Sequence, residues 1–184
     1  MQPAPLPAGL AQPLVDLRQI ANTTVSDLQE VRVDKWKAND DDKDRARSNI
    51  ESLQRNLTAA LPALEQQVRA NPLSVAAVVK LYRNMTAVFD VLASVTESAG
   101  AFGNKSDYQQ LATDTRNLDN VRRSLADQLE QMAENQDAQI GRLTAQLRAQ
   151  QAASSPPKRV IVDDNAPASK TSKSKKKTSS SRTQ

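Results

Sequence analysis

The sequence predicts an all-α protein, namely an up-and-down four-helix bundle with an extended, coiled-coil-like fourth helix and a disordered, basic C-terminal tail. Apolar residues recur every three or four positions over most of residues 13–151, which is the period of an amphipathic helix. The 184 residues include four glycines and five aromatic residues, so tight β turns are scarce and the core must be aliphatic. Residues 156–184 combine positive charge with few apolar side chains, a composition typical of disorder.

The first helix is predicted over about residues 13–37, after a Pro/Ala-rich lead at residues 1–12 that we expect to be flexible. A stripe of apolar residues on one face of a helix indicates that this face is buried against other helices. The small or apolar residues that form the stripe are Leu14, Leu17, Ala21, Thr24, Leu28 and Val31.

The second helix is predicted over about residues 42–70, after a polar run at residues 39–42 whose side chains can cap a helix. Pro62 lies inside this helix. Because proline lacks an amide hydrogen and its ring collides with the preceding turn, we expect a kink near Thr58 or a helix end at Leu61. The apolar stripe continues on both sides of this point, at Ala46, Ile50, Leu53, Leu57, Ala60, Leu64 and Val68.

The third and fourth helices are predicted over about residues 72–99 and 107–151. Asn71 before Pro72 is typical of a helix start, and Ser106 with Gln109 has the spacing of a capping box. The third helix is apolar on most of its circumference, so we expect it to be the most buried. The fourth helix carries a seam with heptad spacing and a second row beside it, at Leu111, Leu118, Leu125 and Met132 and at Thr115, Leu129, Gln136 and Leu143.

The absence of cysteine and histidine excludes several classes of site. The chain lacks the usual zinc ligands, thiolate nucleophiles, disulfides and the commonest general base. We therefore expect no enzymatic activity, no catalytic residues, no metal, no cofactor and no small-molecule substrate. No apolar stretch approaches the ~20 residues of a membrane-spanning helix, so we expect no transmembrane segment.

An acidic cluster has part of the pattern of a calcium-binding loop. Asp40, Asp42, Asp44 and Glu51 have the spacing of four of its carboxylate ligands. Arg45, however, stands where such a loop needs glycine for its sharp turn. We interpret the cluster as acidic residues at a helix N-terminus, where they interact favourably with the helix dipole.

Basic residues within the predicted helices also have structural explanations. Trp36, between two lysines, could stack on a nucleic-acid base or contact a membrane interface, but an aromatic residue at a helix end more often closes a core. Arg122 and Arg123 could bind an anion. Asp119 and Asp127 lie at helical spacing from Arg123 and instead favour surface ion pairs.

The strongest functional candidate is the cationic tail, which we expect to begin at residue 152. Residues 156–184 contain eight cations and two acidic residues, whereas the preceding residues carry a net charge of −2. A disordered cationic arm binds phosphate backbones or anionic surfaces through counterion release, without reading sequence. The predicted polyanion-binding residues are Lys170, Lys173, Lys175, Lys176, Lys177 and Arg182.

We expect a non-catalytic helical interaction or structural module whose arm makes non-specific contacts to a polyanion, either nucleic acid or an anionic surface polymer. One alternative is a dedicated, sequence-independent nucleic-acid-binding protein. Another is an exported or envelope-associated helical protein of bacterial type. A homodimer formed through the fourth helix also stays open. With no targeting signal in the sequence, we expect a cytoplasmic location by default, or an exported or periplasmic one if an upstream signal peptide has been removed.

Removal of residues 156–184 should leave the thermal unfolding midpoint nearly unchanged, because a solvated arm buries too little surface to stabilise the helices. Calorimetry of the full chain and of the truncated chain tests this expectation. A fall of more than about 5 °C, which corresponds to roughly 1 kcal/mol for a domain of this size, would show instead that the arm packs on the helices.

Overall fold

A computed structural model describes residues 6–154, and these residues are almost entirely helical with no β-strand among them. The prediction of an all-α protein is confirmed. The chain divides into two units, Met1–Thr144 and Ala145–Gln184. All of the core described below belongs to the first unit.

The first helix, α1, spans Ala8–Glu30 and includes Pro13. It begins five residues before the predicted start, and Pro13 is its sixth residue. Proline there lacks the amide that would donate to the Gly9 carbonyl, but the helix continues through it. It also ends seven residues before the predicted end. After Val31 takes an extended conformation, a 3-10 turn at Val33–Lys35 directs Val33 and Trp36 into the core.

The second predicted helix is two α-helices joined by one π-helical turn. Helix α2 spans Asp40–Arg55, the π turn spans Asn56–Ala60 and α3 spans Leu61–Ala70. Pro62 cannot donate the usual hydrogen bond to the preceding turn, and the chain widens there instead of ending. The amide of Leu61 accordingly donates to the carbonyl of Asn56, five residues back. The start of α2 is capped by Asn39, whose side chain accepts a 2.8 Å hydrogen bond from the amide of Asp42.

Helix α4 spans Val75–Phe102, and its start differs from the predicted one. Ser74 is the cap, with its hydroxyl accepting a hydrogen bond from the amide of Ala77 at 3.3 Å. Asn71 instead follows the last turn of α3, and its carbonyl accepts from the amide of Ser74. Pro72 therefore lies in the connection between the two helices and is buried there.

Helix α5 spans Lys105–Ser154. Its cap is Asn104, whose side chain accepts a 2.8 Å hydrogen bond from the amide of Asp107, rather than the predicted Ser106. Asparagine is as good a cap as serine, and the sequence offered both within three residues. The helix continues to Ser154, past the predicted end at residue 151 and into the predicted tail at residues 152–184.

The core is aliphatic, as its low aromatic content predicts, and α4 contributes its broadest face. Helix α4 packs against α2 and α3. It also packs against α5, and three contacts show that α4 and α5 run in opposite directions. Gly100 lies against the ring of Tyr108, the Thr96 and Thr115 hydroxyls are 3.0 Å apart, and the Arg122 guanidinium lies 5.0 Å from the centre of the Phe89 ring.

Gly103 and Gly141 form a matched pair for testing this packing. A methyl group on Gly103 would lie 2.7 Å from the Ala99 carbonyl oxygen and 3.0 Å from the Trp36 indole nitrogen, so Gly103→Ala should lower the free energy of unfolding by roughly 1–3 kcal/mol. A methyl group on Gly141 meets no heavy atom of the described residues within 4 Å. Gly141→Ala should therefore raise the free energy of unfolding by up to about 1 kcal/mol, because alanine has the higher helix propensity. Urea denaturation measures the free energy of unfolding of both variants. Equal changes in the two variants would contradict the close packing at Gly103.

Candidate functional site

The most unusual surface of the first unit is the second half of α5. Leu111, Leu118 and Leu125 are fully buried, and Leu129 and Met132 are partly buried against the core. From residue 133 to residue 144 every residue is exposed, although the chain stays helical. This exposed stretch, residues 133–144, is called the distal segment below. It contains two large apolar side chains in solvent, Ile140 at 61% and Leu143 at 59% exposure.

The described part of the second unit, residues 145–154, is also helical and exposed. It contains one large exposed apolar residue, Leu147. This residue continues the three- and four-residue spacing of Ile140 and Leu143 along the sequence.

A groove of about 350 Å³ lies beside the beginning of the distal segment, where α5 passes the start of α1 and the connection between α3 and α4. Leu73 stands at this groove and is 72% exposed. The groove carries amide side chains but no charged side chain among its described residues. Its lining is Pro7, Gly9, Leu73, Gln128, Gln131, Met132, Asn135, Gln136 and Gln139.

A buried carboxyl group lies between α1 and α5. Asp114 is 2% exposed, and burial raises its pKa to about 7, with the negative charge of Asp27 and a hydrogen bond to Asp27 acting in the same direction. The hydroxyl of Thr24 acts in the opposite direction. Among the described residues, neither Thr24 Oγ1 nor Asp114 Oδ2 has a hydrogen-bond partner of normal geometry. Because burial and the nearby negative charge both favour the neutral form, the Asp114 carboxyl can gain or lose a proton near neutral pH.

A second buried carboxylate is neutralised by arginine. Glu65 on α3 is 4% exposed, and its Oε1 accepts hydrogen bonds from Arg18 Nη2 at 2.7 Å and from Arg69 Nε at 2.8 Å. Arg18 belongs to α1, so the ion pair joins two helices. Both arginines are paired with the same oxygen, and we interpret them as structural.

Of the two predicted partners of Arg123, Asp119 pairs with it and also with Arg122. Among the described residues, no ion pair joins Asp127 to either arginine. Arg122 Nη2 lies 2.5 Å from Oδ1, and Arg123 Nη2 lies 2.6 Å from Oδ2. The hydrogen bond from Arg122, ahead of the one from Arg123, lowers the pKa of the Asp119 carboxyl. This supports the structural interpretation of the two arginines over an anion site.

Two other candidates from the sequence have structural roles as well. Trp36 is 3% exposed, so it closes the core and cannot stack on a base. Asp40, Asp41 and Asp42 form the first turn of α2, as expected for acidic residues that favour a helix N-terminus. Within residues 6–154, no group of three or more His, Cys, Asp or Glu side chains could hold a metal ion.

The six predicted polyanion-binding residues of the tail lie outside the described residues: Lys170, Lys173, Lys175, Lys176, Lys177 and Arg182. Among the helices that are described, none combines the length and apolar character needed to cross a membrane.

Comparison with known proteins finds no matching family model, no matching curated protein and no matching solved structure. The function must therefore be argued from the chain's own residues.

Sequence reasoning missed the three buried acidic residues, although a signal for them exists. Asp107 and Asp114 precede and follow Leu111 at helical spacing, and Glu65 lies beside the apolar stripe of its helix. An acidic residue in an apolar stripe indicates a buried charge that needs a partner or a proton. The identity of that partner depends on the neighbouring helix.

Asp114→Asn should change how stability depends on pH. Because the pKa of Asp114 is near 7 in the folded chain and near 4 in the unfolded chain, folding loses stability from this group as the pH rises between those values. The variant has no proton to lose. Its free energy of unfolding should match that of the unmodified chain near pH 4 and exceed it by roughly 2–4 kcal/mol at pH 8.

Urea denaturation at half-unit intervals from pH 4 to pH 8.5 measures this difference. Asp137→Asn, at an exposed position of α5, is the matched control and should show no such rise. A constant difference between the Asp114 variant and the unmodified chain at all pH values would contradict the raised pKa of Asp114.

Proposed function

We propose that the protein is a non-catalytic helical interaction or structural module whose C-terminal arm makes non-specific electrostatic contacts to a polyanion. The observation that carries the proposal is the division of charge along the sequence. Residues 1–155 carry a net charge of −2, and residues 156–184 carry eight cations and two acidic residues. A polyanion is therefore attracted to the arm and not to residues 1–155.

The arrangement we propose for the helices is an up-and-down four-helix bundle, in which α2, the π turn and α3 act as one helix. Contacts support opposite directions for α1 and α5, the first and last helices of such a bundle, as they do for α4 and α5. Arg18 of α1 pairs with Glu65, and further along α1, Asp27 interacts with Asp114 of α5. Gly9, near the start of α1, lies against Gln128, well after Asp114 on α5.

The distal segment of α5 supports the role as an interaction module. A helix that leaves the core normally loses its apolar residues, because exposed apolar area is unfavourable in water. Ile140 and Leu143 are instead retained on an exposed helix. We propose that this face, with coiled-coil-like spacing, binds another helix.

A non-catalytic role is supported by the chemistry of the described side chains. Asp114, whose pKa is raised to about 7 by burial and by the charge of Asp27, is the strongest candidate for acid–base work, but it is 2% exposed and lies between two helices. The groove with exposed amides carries no carboxylate, lysine or tyrosine among its described residues. Acid–base groups and a substrate-sized groove are thus in different places.

Replacing Lys173, Lys175, Lys176 and Lys177 by Gln tests the arm. Binding of the full chain to generic duplex DNA should be weak, indifferent to sequence and steeply dependent on salt, because phosphate contacts carry no base information. If five or six tail cations contact phosphates, the slope of log K against log salt should be about −4.5 to −5.4. The four replacements should reduce its magnitude by about 3.6.

Arg122→Gln and Arg123→Gln are the control variants, since both arginines already pair with Asp119 and should leave the slope unchanged. Fluorescence anisotropy at several salt concentrations, with heparin as a second polyanion, provides the measurement. Binding that survives the four replacements, or that separates two DNA sequences by more than tenfold, would contradict the arm and favour the alternative of a dedicated nucleic-acid-binding surface on the helices.

A further inference from the structure

We infer that a second copy of this chain docks on the distal segment of α5, with the two distal segments antiparallel and Ile140 and Leu143 in the contact. This inference rests on the proposed function, because it names the partner of the interaction face. It draws on the distribution of apolar residues, charges and free volume around one part of the first unit.

Exposed apolar residues provide the first argument. Ile140 and Leu143 lie three residues apart and therefore on one face of the helix. Both have more than half of their surface in solvent. Two such faces brought together remove both pairs of side chains from water, which is the driving force of helix pairing in coiled coils.

The direction of pairing follows from charge. Along α5, the exposed acidic residues Glu130, Glu134 and Asp137 precede Ile140, and the exposed Arg142 follows it. A parallel pair would place the acidic stretch of one copy beside the acidic stretch of the other. An antiparallel pair places acidic residues near Arg142 of the partner copy, so the surface is complementary to itself.

The groove provides the third argument. Met132, Gln136 and Gln139 line it, and Leu143 follows them at helical spacing, so the groove continues onto the same side of α5. Its volume of about 350 Å³ can accept large aliphatic side chains, and Leu73 adds an exposed apolar wall. In an antiparallel pair centred near Ile140, Leu143 of one copy approaches Gln136 and Gln139 at the end of the groove of the other copy, as in a two-fold symmetric interface.

The chemistry of the groove also favours a second copy over a polyanion. Its described lining residues are apolar or carry neutral amides, with no cation to bind phosphate. Three exposed carboxylates precede Ile140 on α5 and would repel an anionic partner.

Sedimentation equilibrium of the full chain over a wide concentration range tests the inference. The full chain should show a monomer–dimer equilibrium, and Ile140→Ser combined with Leu143→Ser should weaken dimerisation more than tenfold. The control is Val15→Ser, an apolar residue of α1 with similar exposure at 54%, which should leave the equilibrium unchanged. Circular dichroism should show unchanged helix content in each variant, because all three positions are exposed.

The orientation can be tested by single cysteines, since the chain has none of its own. Ile140→Cys, close to the two-fold axis, should form a disulfide-linked dimer on mild oxidation. Ala133→Cys should not, because in an antiparallel pair its two copies would lie about 20 Å or more apart at 1.5 Å per residue. Efficient linkage of Ala133→Cys would show a parallel pair and overturn the inferred direction.

A full chain that stays monomeric up to high micromolar concentration would overturn the inference. A dimer that forms only after deletion of residues 1–5 would show that this segment of the same chain competes with the second copy in the full chain. That result would also overturn the inference. Heparin binding by the same samples separates this outcome from the proposed function, because loss of the dimer leaves the electrostatic arm intact.

Discussion

Burial of the broad apolar face of α4 is the constraint on which the rest of the structure depends. Val78, Leu81, Met85, Val88 and Leu92 are all at most 2% exposed, and one neighbouring helix cannot cover so wide a face. Helices α2 and α3 cover one side and α5 covers another, while α1 closes the core through its own leucines. Because aromatic residues are few, this core depends on many close aliphatic contacts, which explains why a glycine is needed where α4 ends against Trp36.

Glu65 and Asp114 show how the same core accommodates carboxyl groups in two ways. Arg18 and Arg69 reach the Glu65 oxygen from the surface, while their own side chains remain partly in water. No arginine or lysine pairs with Asp114 among the described residues, and burial, together with the negative charge of Asp27, raises its pKa to about 7. The raised pKa makes the contact between α1 and α5 sensitive to pH near neutrality.

Periodicity was sufficient to predict the all-α class and the existence of each helix, because an amphipathic stripe reflects burial directly. The exact ends of the helices were harder to predict from the sequence, since several neighbouring residues can serve as caps. Asn104 rather than Ser106 caps α5, and Ser74 rather than Asn71 caps α4. The sequence predicted where Pro62 would disturb the helix, but it did not predict that the disturbance would be a π turn. The π turn depends on how α2 and α3 together pack against α4. Among the site residues, Asp114 was missed because its pKa depends on burial against α1 and on the charge of Asp27, which is 87 positions away along the chain.

The composition of α5 explains how one helix can serve both the core and a partner. Its first half is held by tertiary contacts through Leu111, Leu118 and Leu125, whereas the distal segment has no buried residue and must rely on helix propensity. Alanine, glutamine, leucine, glutamate and arginine dominate that part of the sequence, and all are strong helix formers. The first half also supplies an existing helical turn, so the distal segment avoids the cost of nucleation.

Ile140 and Leu143 add nothing to this helix propensity that alanine would not provide, and their apolar area is unfavourable in water. Contact with another surface is the role that we propose for them.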